Sequence, residues 1–246
     1  MSEPPACREV PFLIIAHRGH SALYPENTLL AFEKAIEAGA GMIELDIHLS
    51  RDRQIVVIHD ETLYRTARRR GRVNQLTLEE LKGCNANYGM DEWGFVSIPT
   101  LEEVIATVAG RVLINVEIKG GDGIEERLAA LLTKRDATDR VIVSAFDWKA
   151  LERMRQLAPA VKRGLLYTSR RIDFREAAIA LKVHSIHPAL RAMDEGRLRW
   201  AKSRGMKVYP WVVTDRVTLD RCRASGWIDG VFVNNPDLLG RYQQNG

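Results

Sequence analysis

Short runs of apolar and β-branched residues recur along the chain, separated by longer stretches in which apolar positions return every three or four residues. The short runs are Phe12–Ala16, Gly41–His48, Val112–Ile118, Val141–Ser144, Gly164–Tyr167, His184–His187, Lys207–Val213 and Gly230–Val233. Their lengths suit buried strands, and most are joined by a helical pattern. Alternating βα units of this kind predict an α/β fold, a closed parallel TIM (β/α)8 barrel, in which about 250 residues commonly form one domain.

The first helix shows the pattern most clearly. Asn27 or Thr28 can cap it, Leu29, Phe32 and Ile36 fall on one face, and Gly39 can end it. Stripes follow at Leu101, Val104, Ile105 and Val108, at Leu128, Leu131 and Leu132, and at Leu151, Met154 and Leu157. All are expected to be core-facing.

One further run, Gln54–His59, follows the second strand after only Ser50–Arg53. That gap is too short for the crossover a parallel neighbour requires, so the run should fold back as a hairpin arm about a turn near Asp52, with His59 opposite Leu45. From 60 to 99 the pattern is irregular, with Gly71, Gly83, Gly89, Gly94 and Pro99 and one short helical stretch at Thr77–Leu81. The expectation is a single domain over 1–246 carrying a small inserted segment after the second strand and its hairpin, too small to bury a core of its own.

Composition narrows the class. The 246 residues are 46% apolar and 28% charged with 18 Gly and 9 Pro, which suits a globular chain and excludes disorder or collagen. Cys7, Cys84 and Cys222 are too widely spaced for a disulfide framework or a zinc pair, so a reducing compartment is expected. Phe12–Ala16 is too short to span a bilayer and follows Glu3 and Glu9, which predicts a cytoplasmic protein without stable membrane anchoring.

Thirty-six basic residues against 32 acidic ones leave a net charge of +4, much of it in Arg65, Arg68, Arg69, Arg70 and Arg72. Such a cluster marks nucleic acid, anionic lipid heads or a phosphorylated substrate, or is simply a solvated loop, the commonest case. No aromatics interleave it and no reading module surrounds it, so nucleic acid is not an expected partner.

The informative anomaly is polarity at the strand ends, where a barrel builds its site. Ala16-His17-Arg18-Gly19 closes the first strand, with an imidazole, a planar guanidinium fork suited to phosphate, and a glycine that lets the backbone turn. In Ile43-Glu44-Leu45-Asp46-Ile47-His48 the two carboxylates share one face, because side chains alternate along a strand. Two acids on a buried face repel unless a cation or proton intervenes, and a hard divalent ion is the usual solution. Val56-Val57-Ile58-His59-Asp60 brings a second imidazole, and Asn115-Val116-Glu117-Ile118-Lys119 adds a third carboxylate and an ammonium. Three carboxylates, one Arg and one Lys describe a phosphate site around Mg2+ or Ca2+. An exposed acidic edge strand or ion pairs filling the barrel would be the alternatives.

Taken in order, His17-Arg18-Gly19, Pro25-Glu26-Asn27-Thr28, Glu44-Leu45-Asp46, His59-Asp60-Glu61-Thr62-Leu63, Ile98-Pro99-Thr100-Leu101 and Glu117-Ile118-Lys119 resemble the motifs of the glycerophosphodiester phosphodiesterase family in its short bacterial form. Weaker echoes follow at Ser144-Ala145-Phe146, His187-Pro188, Trp211 and Asn235-Pro236. The resemblance implies a TIM barrel that hydrolyses small phosphodiesters, such as glycerophosphocholine or glycerophosphoethanolamine, to sn-glycerol 3-phosphate and an alcohol. It further implies His17 and His59 as the acid/base pair, Glu44, Asp46 and Glu117 as metal ligands, Arg18 and Lys119 as phosphate contacts, and Trp211 in the substrate wall. Val233-Asn234-Asn235-Pro236 departs from the family's Thr-Asp pair, and Ser144-Ala145 from its paired serines; both departures are expected to lie outside the innermost ring of the site.

A phosphodiester hydrolyses very slowly, so its charge must be neutralised, a nucleophile aligned and a poor leaving group protonated. The attacking group is either water or the glycerol hydroxyl beside the phosphate. His17 as base and His59 as acid is the assignment favoured here. A lysophospholipase D-type activity on the same barrel, with Leu23, Tyr24, Trp93 and Phe95 as an apolar wall, and a non-catalytic phosphate-binding barrel are the rival readings.

Overall fold

The computed structural model describes residues 12–239, and Cys7, Glu3 and Glu9 lie outside the described residues. Strands β1 (Leu13–Ala16), β2 (Met42–Leu49), β3 (Ile55–Val57), β4 (Leu113–Ile118), β5 (Val141–Ala145), β6 (Lys162–Tyr167), β7 (Ser185–Pro188), β8 (Lys207–Val208) and β9 (Gly230–Val233) form one sheet. The helices are α1 (Leu29–Glu37), α2 (Tyr64–Ala67), α3 (Leu78–Lys82), α4 (Leu101–Val108), α5 (Ile124–Lys134), α6 (Trp148–Leu157), α7 (Arg175–Ala180), α8 (Glu195–Lys202) and α9 (Arg216–Ala224). The order β8-β7-β6-β5-β4-β2-β1-β9 is parallel throughout, with β3 antiparallel to β2 off that path. The β8–β9 seam is closed by backbone donation from Asp229 to Val208, Phe232 to Pro210 and Val213 to Phe232. The chain is an eight-stranded parallel TIM barrel with helices between the strands.

The run predicted as a strand over Lys207–Val213 is regular only at Lys207–Val208. Pro210 has no N–H to donate, so the ladder stops, although Trp211 and Val213 still bridge to Ala189 and Val233. On the first helix, Thr28 is the cap, its hydroxyl accepting from Ala31 N, and Gly39 at φ +85° ends the turn. Leu157, expected in the core, is instead exposed at the end of α6.

The outward faces of the strands, including Leu45, Ile47, Val116 and Val143, pack under Phe32, Leu101, Leu128 and Leu151 of the helices. Inside the barrel, Ile15, Met42, Ile142 and Phe232 cluster with Leu113 packed against them. Two residues further along the same strands, one pleat repeat, stand His17, Glu44, Ser144, Asn234 and Asn115. The apolar layer is thus the floor on which a polar layer rests, and the site faces the carboxyl ends of the strands.

The hairpin pairs Ile47 with Val57 and Leu49 with Ile55, and Ile58 N donates to Asp46 O. Continuing that register puts His59 beside Leu45, on the predicted side of the ladder. Residues 60–99 build a small apolar cluster from Leu63, Val73, Leu81, Cys84, Ala86 and Ile98, completed by Val56 and Ile58 of the hairpin.

Candidate active site

The β1 exit is a tight backbone turn. Arg18 (φ +58°) and Gly19 (φ +79°) both lie in the left-handed region, and a Cβ on Gly19 would sit 2.7 Å from the Ala31 carbonyl carbon. Only glycine lets the start of α1 approach this closely. The turn aims Arg18 N–H at Glu44 Oε2 (2.9 Å), so backbone and side chain of Arg18 both face the barrel interior.

β2 and β4 supply the acids in register, Glu44 against Asn115 and Asp46 against Glu117. Glu44, Asp46 and Glu117 are buried, and each offers an oxygen within 4.8 Å of the others. Their mutual repulsion is visible in their protonation. Burial and the charges of Asp46 and Glu117 push Glu44 well above the ordinary carboxylate range, and burial with Asp46 raises Glu117 to about 7. Burial opposes the charge of Asp46 as well, but Lys119 and Arg18 outweigh it and hold its pKa low. Lys119 Nζ stands 2.5 Å from Glu117 Oε1 and 3.1 Å from Asp46 Oδ1.

Among the buried atoms without a hydrogen-bond partner are three acceptors of this site, Glu44 Oε1, Asp46 Oδ1 and Asn115 Oδ1, and one donor, Arg18 Nε, 3.4 Å from Asp46 Oδ2. An orphaned acceptor amid three carboxylates fits a hard cation, and an orphaned guanidinium donor beside it fits an anion. The donor set is all oxygen, which suits Mg2+ or Ca2+ rather than zinc.

The imidazoles stand at the sides. His17 Nδ1 donates to Asn234 Oδ1 at 2.7 Å, which orients the ring and leaves Nε2 turned to the acids, 4.0 Å from Glu44 Oε2. Burial and neighbouring Arg18 lower its pKa to about 4, so the ring is neutral at pH 7. His59 Nδ1 donates to Asp60 Oδ1 at 2.6 Å, and its carbonyl accepts from His48 Nε2 at 3.0 Å. Burial lowers the His59 pKa overall, against Asp46 and Asp60, which raise it.

A chain of ion pairs joins these groups from behind. Arg65 donates to both oxygens of Asp60 (2.7 and 3.0 Å) and to both oxygens of Glu26 (2.7 and 2.8 Å), while Arg18 Nη1 reaches Glu26 Oε1 at 3.1 Å. Asn27, at φ +57°, exchanges two bonds with Asp46, donating to its side chain and accepting from its N–H. The polar groups open onto a cavity of about 330 Å³ that contains His17, Arg18, Glu44, His59, Glu117 and Lys119 and is walled opposite by Phe146, Leu166, Trp211 and Phe232. Trp211 Nε1 donates to His187 O (2.9 Å), and its ring meets Phe146 edge-on at 5.7 Å.

All the predicted side chains therefore meet: His17, Arg18, Glu44, Asp46, His59, Glu117 and Lys119 converge, with Trp211 in the wall. The supporting residues were less visible. Asn234 touches His17, which corrects the expectation that the Val233–Pro236 departure lies clear of the inner ring. Arg65 belongs to the site, whereas Arg68, Arg69 and Arg70 of the same cluster are exposed. Asn27, one of two residues the pattern offers as the cap of α1, leaves the cap to Thr28 and holds Asp46 instead.

The chain resembles known proteins over almost its whole length. Residues 17–238 match the model of the glycerophosphoryl diester phosphodiesterase family. A glycerophosphodiester phosphodiesterase of Caldanaerobacter subterraneus is 37% identical over 233 residues, spanning 92% of this chain and 96% of the relative. One from Bacillus subtilis is 31% identical and spans 92% of this chain and 85% of its own. Among solved structures, an Oleispira antarctica phosphodiesterase in complex with its product sn-glycerol-3-phosphate superposes with a TM-score of 0.83 at 28% identity, covering 91% of this chain and 93% of that one. With its barrel, its acidic centre and this match in hand, the chain belongs to the glycerophosphoryl diester phosphodiesterase family.

Proposed function

We propose that the protein hydrolyses glycerophosphodiesters, such as glycerophosphocholine and glycerophosphoethanolamine, to sn-glycerol 3-phosphate and an alcohol. One observation carries the reading: three buried carboxylates within 4.8 Å of one another, flanked by the Arg18 guanidinium, whose Nε has no hydrogen bond, and by two imidazoles on one cavity. Glu44, Asp46 and Glu117 would hold one divalent cation, Mg2+ or Ca2+, which supplies Lewis acidity at the phosphate when bound. Arg18 and Lys119 neutralise the charge that grows on the phosphoryl oxygens.

His17, neutral and fixed by Asn234, takes a proton at Nε2 from the attacking hydroxyl. His59, held through Nδ1 by Asp60, delivers a proton at Nε2 to the departing oxygen. The substrate's own negative charge adds to Asp46 and Asp60 in favouring the protonated His59 ring, so binding readies the acid. Phe146, Leu166, Trp211 and Phe232 exclude water from one side and fit the carbon skeleton of the glycerol.

Release of sn-glycerol 3-phosphate, measured beside release of choline from lysophosphatidylcholine, tests this reading. The wild-type protein should favour glycerophosphocholine, and His17→Ala or His59→Ala should each lower kcat by about a hundredfold or more while cation binding persists. Near-normal turnover of either variant removes that ring from the reaction, and preference for the lysolipid transfers the activity to lipid substrates. Among the described residues no helix is long and apolar enough to cross a membrane.

A further inference from the structure

A second cavity, of about 350 Å³, opens beside the first and shares Lys119 with it. Its lining is strongly charged: Arg51, Arg53, Arg72 and Lys119 against Glu61 and Asp122. It lies on the His59 side of the site, since His48, which donates to the His59 carbonyl, and Glu61, two residues beyond His59, both line it.

The cations are not equally engaged. Lys119 is neutralised by Asp46 and Glu117, Arg72 pairs with Glu61, and Arg51 reaches Gln75 O and Glu80. The Arg53 backbone N–H donates to Ser50 O, but its guanidinium makes no hydrogen bond among the described residues, and Glu126 only feels its charge. Arg53 occupies the hairpin turn at φ +66°, a conformation glycine adopts freely and other residues enter rarely. Its guanidinium lies against the Gly123 backbone, with Nη2 2.7 Å from where a Cβ would stand. The turn is thus held by a residue whose guanidinium, itself exposed, lines the cavity without a side-chain hydrogen bond.

We propose that the cavity receives the alcohol half of the substrate, and that the protein prefers glycerophosphodiesters whose head group bears a phosphate of its own, gripped by Arg53 and Arg72. The inference rests on the reading above, in which His59 protonates the leaving oxygen. The departing alcohol then lies on the His59 side, toward the basic cavity, while the glycerol lies against the aromatic wall. A quaternary ammonium gains nothing from three arginines, whereas a second phosphate meets forked donors at close range.

The test compares kcat/KM for glycerophosphoinositol 4-phosphate, glycerophosphoinositol and glycerophosphocholine, in wild type, Arg53→Gly and Arg72→Gln. Arg53→Gly removes the cation and relieves the turn, so folding is not at risk. The wild type should favour the phosphorylated head group by about tenfold or more, and each substitution should erase about tenfold of that advantage, as expected for one charge-assisted hydrogen bond, with glycerophosphoinositol unaffected. Hydrolysis of all three with equal efficiency overturns the head-group assignment and leaves the hydrolase intact. Hydrolysis of none overturns both. Inorganic phosphate is the control for a free anion: if it alters turnover of glycerophosphocholine only when Arg53 is present, and no head-group preference exists, the cavity binds a loose anion and the proposal fails.

Discussion

Arg65 spans two carboxylates that serve opposite sides of the site, Asp60 behind His59 and Glu26 behind Arg18. Planarity makes this possible, because one guanidinium fork presents paired donors in two directions while an ammonium presents a single charged point. Replacing Arg65 with Gln should therefore lower kcat by roughly tenfold to a hundredfold, through misdirection of both groups, with a smaller change in KM. Arg65→Lys should not restore it, which distinguishes positioning from a simple charge effect; steady-state kinetics of the two variants decide the matter, and full activity in the Lys variant would refute the bridge. At this scale the sequence was only partly legible. Glu44, Asp46 and Glu117 could be placed from strand alternation alone. Arg65, Asn27 and Asn234 could not, since Asn27 and Asn234 act from turns and Arg65 from the four-residue helix α2, all placed by the packing of distant elements, and Arg65 stood hidden among neighbours that do face solvent.

Between elements, the strongest local example is Asp229 at the start of β9. It accepts from Lys202 at the end of α8, from Lys207 and from Val208 N on β8, tying the closing seam of the barrel. Burial works against its charge, but these donors prevail and hold its pKa below the ordinary value. A carboxyl whose folded pKa is depressed contributes stability above its unfolded pKa of about 4, and loses it as pH falls through the lower folded value. Asp229→Asn should accordingly lower stability by about 2 kcal/mol at pH 7, with the gap closing below about pH 4. Denaturation midpoints at pH 7, 5 and 3 would reveal this, and a gap that stays constant or widens in acid would contradict it. Element positions were readable from hydrophobic periodicity, and so was the hairpin, because the gap after β2 is too short for a crossover. The truncation of β8 follows from Pro210, whose missing donor matters only once its neighbours in the sheet are known.

For the molecule as a whole, the barrel places an apolar floor of Ile15, Met42, Ile142 and Phe232 one pleat below the polar ring. That floor denies the carboxylates a second route to water, so their charges must be met within the site by Arg18, Lys119 and a cation. Loss of the cation should leave the acids repelling one another, as the raised pKa values of Glu44 and Glu117 already express. The most direct measurement is sn-glycerol 3-phosphate release by protein stripped with a chelator, followed as Mg2+ or Ca2+ is added back, for wild type and for Glu44→Gln and Glu117→Gln. Stripped wild type should be inactive and recover with saturable dependence on the ion, while both variants should need far more of it or fail to recover. Undiminished release in the presence of chelator, or equal recovery in all three proteins, would contradict a cation held by these carboxylates.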